Sequence, residues 1–338
     1  MKISPILAAA LLVASVSARA EDLTVLDSSY SLASYYSDPQ SNNIVSYDWT
    51  SSGSLVYMSG DPYGDFTGVY SVSSGVNTTI DPANTGYAGA NVATIGNYTY
   101  YNFSDSNFNE YINQYGPTNG TPALTLASTA PNYGIYAHNG QMFITAGDSN
   151  GVNDIYYSNI NSDGTLAGIV DLGVTSGDSG PLAFDTAGDL FYAPGYGDSS
   201  IYKWSAAEVA AAIANPTLDP LTVAGHLWDD YSSTYSGESG ATSMLFANDG
   251  DLLVTLTSFD GPSVLVDFTP DAQTATTILS GSTGLGELRD QNGSLYLSAG
   301  SQIDQLNVVP EPSASLLSFL GIGVALLVRQ IRKTKSLA

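Results

Sequence analysis

The chain has 338 residues, no cysteine, 34 glycines and 23 tyrosines, and carries 32 acidic against 8 basic residues, a formal net charge of −24. The lack of cysteine excludes disulfides and every thiolate-based metal or nucleophile chemistry. The charge excludes nucleic acid as a partner, because phosphate contacts need cations. Six of the basic residues sit at the two ends of the chain, so that only Lys203 and Arg289 face 31 acids between residues 21 and 310, a formal −29. A body of that charge stays soluble, repels anionic surfaces and attracts Ca²⁺.

Residues 1–20 read as a secretory signal peptide. Lys2 is the positive start, Ile6 to Val16 the apolar stretch, and Ala18-Arg19-Ala20 the small-residue cleavage site. The exported domain follows over residues 21–308, long enough for one large β domain or two small ones.

One phrase recurs through that domain: a polar turn with glycine, then a strand of Leu, Tyr and Val. It stands at Gly53, Gly96, Asn139-Gly140, Gly188, Gly250 and Asn292-Gly293, at intervals of 43, 44, 48, 62 and 43 residues. Asn-Gly and Asp-Gly supply the positive φ of tight hairpins. A second strand follows most copies, as in Asp154-Ile-Tyr-Tyr, Ser200-Ile-Tyr-Lys-Trp and Ser263-Val-Leu-Val. Several short strands per ~40–50 residues predict an all-β propeller. Six copies predict six blades, with a seventh possible from residues 23–36. The strand at Ile44 to Trp49 is expected to close a blade whose other strands come from residues 295–308, which removes the sheet edges. A parallel β-helix is the alternative, though its rungs are usually shorter than these intervals. The 62-residue interval holds the one helical segment: Ser205 caps Ala206 to Ala214, Glu208 completes a capping box, and Asn215-Pro216 stops the helix. These repeats resemble those of NHL-like and lactonase-like propellers. The resemblance implies a metal held at the pore by acidic and Asn side chains, although no ligand transfers residue by residue.

Candidate chemistry is sparse. His138 stands at a hairpin and His226 before Trp228-Asp229-Asp230, neither with the spacing of a zinc pair. Asp148, Asn150 and Asp154, around Gly151, resemble the start of a calcium loop, with Asp163 as a further oxygen donor, though Asp, Asn and Gly are also ordinary turn residues. Asp61 and Asp65 share that ambiguity. Tyr30, Tyr35, Tyr36, Tyr63, Tyr87, Tyr133, Tyr196, Tyr231 and Tyr235 lie in Ser/Gly/Asn-rich stretches, where an aromatic face beside amides suits sugar rings. No Ser-His-Asp triad, P-loop or nucleophile elbow is present, so no catalytic residue is assigned. The domain therefore reads as a non-catalytic interaction module, the alternative being a metal-dependent lactonase- or lyase-like propeller enzyme.

The C-terminus has three parts in order. Pro310-Glu311-Pro312 comes first, then an apolar stretch from Ala314 to Val328, extensible to Ile331, and then Arg329, Arg332, Lys333 and Lys335. The apolar stretch, 314–331 with its flank, predicts a marginal transmembrane helix whose cations fix its orientation. The two prolines block helix and ladder pairing and leave an extended segment. Residues 309–338 resemble the PEP-CTERM sorting signal. That resemblance implies recognition by an exosortase-type membrane protease, tethering to the cytoplasmic membrane, and delivery to the cell surface or matrix beside exopolysaccharide and biofilm components.

Overall fold

The computed structural model describes residues 23–60, 66–82, 91–104, 110–116, 132–147, 152–258, 262–272, 274–282 and 284–309. Two strands open the domain, β1 (Thr24–Val25) and β2 (Tyr30–Ser37). The first blade is β3 (Ile44–Trp49), β4 (Leu55–Gly60), β5 (Phe66–Ser73) and β6 (Val76–Pro82). The second is β7 (Val92–Ile95), β8 (Tyr98–Ser104) and β9 (Glu110–Tyr115). The third is β10 (Asn132–His138), β11 (Gln141–Gly147), β12 (Asn153–Asn159) and β13 (Val170–Val174). The fourth is β14 (Leu182–Phe184), β15 (Leu190–Tyr192), β16 (Ser200–Trp204) and β17 (Leu227–Asp230), with helix α1 (Ala206–Ala214) inserted between β16 and β17. The fifth is β18 (Gly240–Phe246), β19 (Leu252–Thr257), β20 (Ser263–Phe268) and β21 (Ala275–Gly281). The sixth is β22 (Leu285–Gln291), β23 (Ser294–Ala299) and β24 (Gln302–Val308).

Each blade is an antiparallel meander, and the first strands form a ring: β3 touches β7, β7 touches β10, then β14, β18 and β22 follow and return to β3. This is a six-bladed β-propeller. It replaces the parallel β-helix alternative, since every ladder is antiparallel and the sheets are radial. The hairpins behave as the repeats predict. At β10–β11 the turn residues Asn139 and Gly140 have φ of 49° and 74°, and at β22–β23 Asn292 and Gly293 have 56° and 80°. Two consecutive positive φ values are the demand of a type I′ turn, which Asn-Gly meets.

Two expectations about ring closure need correction. Ile44–Trp49 does not close the last blade; it is the innermost strand of the first, paired with β4. The strand that closes the ring is β2, which pairs with β24 from Tyr30↔Val308 to Ser37↔Gln302. Residues 23–36 build no seventh blade either, because β1 adds a fifth strand to the fifth blade beside β21. The physical reason is burial. Ile44–Trp49 is apolar enough to be buried along most of its length, as an innermost strand must be, whereas Tyr30–Ser37 is half exposed and suits an outer edge.

The core lies in the seams between blades. Trp204, Phe143, Tyr192 and Leu190 fill the seam of blades three and four, and Leu252, Phe268, Phe191 and Ile201 that of four and five. The predicted helix is present with both arms of its capping box, Ser205 and Glu208. No helix among the described residues is long and apolar enough to cross a membrane. The expected signal peptide, Pro310-Glu311-Pro312, the apolar stretch and the cations Arg329, Arg332, Lys333 and Lys335 lie outside the described residues.

Candidate active site

In a propeller the innermost strands bring residues from every blade to one axis. Their backbone groups on the axial side have no ladder partner, and polar side chains of neighbouring blades supply one. Ser46 Oγ on β3 accepts from Val92 N at 2.9 Å, Asp48 Oδ2 accepts from Thr94 N at 2.6 Å, and Asn91 Oδ1 accepts from Ile135 N at 3.2 Å. On the other side, Ser243 Oγ accepts from Leu288 N at 3.0 Å.

Within this frame β22 sends two charged side chains to the centre. Glu287 and Arg289 are two residues apart, hence on one face of the strand. The Glu287 carboxylate accepts from Ser46 Oγ (3.3 Å) and Asn91 Nδ2 (3.0 Å) on one oxygen and from Ser243 Oγ (3.2 Å) on the other. Arg289 lies 3.3 Å from that second oxygen. Its Nε donates to Tyr47 O at 3.1 Å and its Nη2 to Val92 O at 2.7 Å. Blades one, two, five and six are thereby joined through two side chains.

The electrostatics follow from burial and one shared cation. Glu287 is 6% exposed. Burial pushes its carboxyl above the usual range, and the pull of Arg289 offsets only part of this. Asp48 is raised for the same first reason, against the pull of Arg289 and the backbone donors of Thr94 and Trp49. Burial also opposes the charge of Arg289, but Glu287 and then Asp48 outweigh it and keep the guanidinium protonated. Glu287 thus pairs with the guanidinium, and Asp48 feels its field. The second carboxylate has no counter-ion of its own, so the cluster favours keeping one proton.

The structure does not gather the residues singled out in the sequence. Asp148 and Asn150 lie outside the described residues, as do Asp61, Asp65, Tyr63 and Tyr87. Asp154 is on β12, buried at 4% exposure, and accepts from Tyr156 Oη at 3.2 Å. Asp163 sits in a turn and accepts from Thr165. Among the described residues no group of three or more His, Asp or Glu side chains is placed to hold a metal ion. His138 stacks on Phe184 with centroids 3.8 Å apart, at a hairpin away from the axis. His226 bridges Glu208 Oε1 (3.0 Å) and Ala224 O (3.0 Å) beside α1. Tyr30, Tyr35 and Tyr36 are on strand β2 and not in a loop, and Tyr231 is a core residue at 1% exposure; only Tyr35 and Tyr196 of the described set are exposed.

Glu287, Arg289, Asp48 and Asn91 carry no motif, and the sequence reading passed over them. One signal was available. Arg289 is one of only two basic residues in the body, and it follows Glu287 at strand spacing. The metal implied by the lactonase-like resemblance does not fit at this cluster. Glu287 is already surrounded by three neutral donors and a guanidinium, and Asn91 turns its NH₂ and not its oxygen toward it.

No family model matches the chain, and no curated protein matches it. Its fold is similar to several solved propellers. One is Carbohydrate-Active Enzymes Family AA12 from Trichoderma reesei, with TM-score 0.56 and 13% identity over 85% of this chain and 98% of that one. A gluconolactonase from Xanthomonas campestris matches with TM-score 0.54 and 14% identity over 82% and 89%. Virginiamycin B lyase from Staphylococcus aureus matches with TM-score 0.53 and 12% identity over 83% and 100%. These neighbours are propeller enzymes, and at such identities the likeness establishes the fold alone.

Proposed function

We propose that this protein is a propeller enzyme of the lactonase or lyase class, with Glu287, Asp48 and Arg289 as its reacting cluster at the channel axis. The observation that carries this reading is a buried carboxyl, Glu287, 3.3 Å from Arg289, with a second, half-buried carboxyl, Asp48, in the field of the same guanidinium. Acid–base catalysis needs one carboxyl group that holds a proton and one that takes a proton, both near the working pH. Unequal surroundings supply that difference here: Glu287 is the more buried, and Asp48 holds two backbone donors. In lactone opening, the ionised group takes a proton from the attacking water while the protonated one gives its proton to the ring oxygen as the acyl C–O bond breaks. In elimination, the same two groups remove the proton beside the leaving group and protonate that group as it departs. Arg289 compensates the negative charge that builds up in either case. The lactonase and lyase among the structural neighbours support this class over an inert module.

The test is turnover of a panel of aldonolactones, simple cyclic esters and polysaccharides by the purified body. Glu287→Gln and Asp48→Asn should each lower kcat by roughly a hundredfold or more while the protein stays folded. Failure of the entire panel, or full activity in both variants, would reject the assignment.

Delivery to the cell surface, sorted through Pro310-Glu311-Pro312 by an exosortase-type protease, is a separate proposal supported by the three-part C-terminus. Mass spectrometry of the mature protein decides it. Loss of the apolar stretch and basic tail is expected, and an intact end at Ala338 in exosortase-bearing cells contradicts it.

A further inference from the structure

We infer that Arg289 is the built-in cation of the channel, and that removing it uncovers a divalent-cation site on Glu287 and the carbonyls that Arg289 now holds. Calcium needs six to eight oxygen donors in the first shell, carrying enough negative charge to offset the ion. The axis offers such oxygens: the two Glu287 carboxylate oxygens, Ser46 Oγ, Ser243 Oγ, and the main-chain carbonyls of Tyr47 and Val92. Arg289 consumes three of them. Its Nε takes the Tyr47 carbonyl, its Nη2 takes the Val92 carbonyl, and the same Nη2 pairs with Glu287 at 3.3 Å. A fixed positive charge at that distance also repels a second cation.

Further observations fit a permanent organic cation. Glu287 first and then Asp48 favour its protonated form. An arginine cannot be deprotonated at any physiological pH, so the charge is independent of metal supply. Lys203, the other basic residue of the body, is at the rim and paired with Asp189 at 2.9 Å, so it cannot substitute. The acceptors that hold Arg289 come from blades one, two and six, which makes it a cross-blade tie as well as a charge.

The experiment measures thermal stability and terbium luminescence of the full exported body, with Ca²⁺ and Tb³⁺ as the probes. Tyr47 and Tyr136 near the axis serve as sensitisers. At ionic strength matched with NaCl, wild-type protein should show neither a Ca²⁺-specific Tm shift nor terbium luminescence that depends on Glu287. Arg289→Met should gain roughly 5 °C in saturating Ca²⁺ and become luminescent with Tb³⁺. Arg289→Met combined with Glu287→Gln should lose both gains. Arg289→Lys, which keeps a cation, should behave as wild type. If Arg289→Met does not fold in buffer, recovery of folded protein on refolding with Ca²⁺ supports the inference, and no recovery overturns it. Metal binding by the wild type that Glu287→Gln abolishes also overturns it. These readouts do not use catalysis, so they stand apart from the success or failure of the substrate panel.

Discussion

Glu287 is the residue on which most of the axis depends. Truncating it leaves Arg289 buried with its main charged partner gone, and an uncompensated buried charge is the costly outcome. Glu287→Ala should therefore destabilise the protein by about 3–5 kcal/mol in urea titrations, while Glu287→Gln keeps the hydrogen-bonding shape and costs less. A second residue gives a pH signature. Glu238 has a buried oxygen without a hydrogen-bond partner, and burial pushes its carboxyl from 4.5 up to about 7. A carboxyl raised on folding contributes stability below its unfolded value, and the contribution is lost as pH rises through the folded one. Wild type and Glu238→Gln should thus be equally stable near pH 4, and the variant should be the more stable above pH 7. Melting curves across that range check this, and parallel curves would show that Glu238 does not titrate as described.

At the scale of elements, α1 and β2 carry different loads. The cap of α1 is local: the Ser205 side chain and backbone meet Glu208, whose carboxyl the Ser205 hydroxyl and then His226 hold down at about 2. Ser205→Ala should cost about 1 kcal/mol, read as a lower urea midpoint with an unchanged slope. Strand β2 is long-range. Removing residues 23–37 leaves β24 as an open edge in the sixth blade, and open edges pair with other chains. That truncation should elute as aggregates in size exclusion, whereas a monomer of normal stability would show that the ring does not rely on β2. These elements also mark what the sequence disclosed. The turn glycines and the capping box obey local rules and were readable from the residues beside them. Ring closure was not, because Tyr30–Ser37 and Ile44–Trp49 are both strand-like, and only their unequal burial decides which is inner and which is outer.

Over the whole molecule, the axial cluster was hidden for a related reason. Glu287 meets Ser46, 241 residues earlier, and Asn91, 196 residues earlier, and no local pattern encodes such a meeting. Net charge, in contrast, is fully visible in composition. With Lys203 bound to Asp189 and Arg289 to Glu287, both body cations are already committed, and the remaining acids repel one another across the surface. Salt screens that repulsion over about 10 Å at 0.1 M. Raising NaCl from 20 to about 300 mM should therefore increase Tm by several degrees. Calorimetry showing a fall in Tm would mean that attractive ion pairs outweigh the repulsion.

The closure by β2 also bears on how the protein carries force. The chain leaves the ring at Val309, whose N–H bonds to Ser29 O, directly after β24. β24 has β23 on one side and β2 on the other. A pull on the tail, as on a tethered protein in flow, loads β24 along its length and must shear two hydrogen-bonded ladders together. Had β24 been the outermost strand, the same pull would have met one ladder instead of two. Traction at the C-terminus is thus met first by the ladders that β24 shares with β2 and β23.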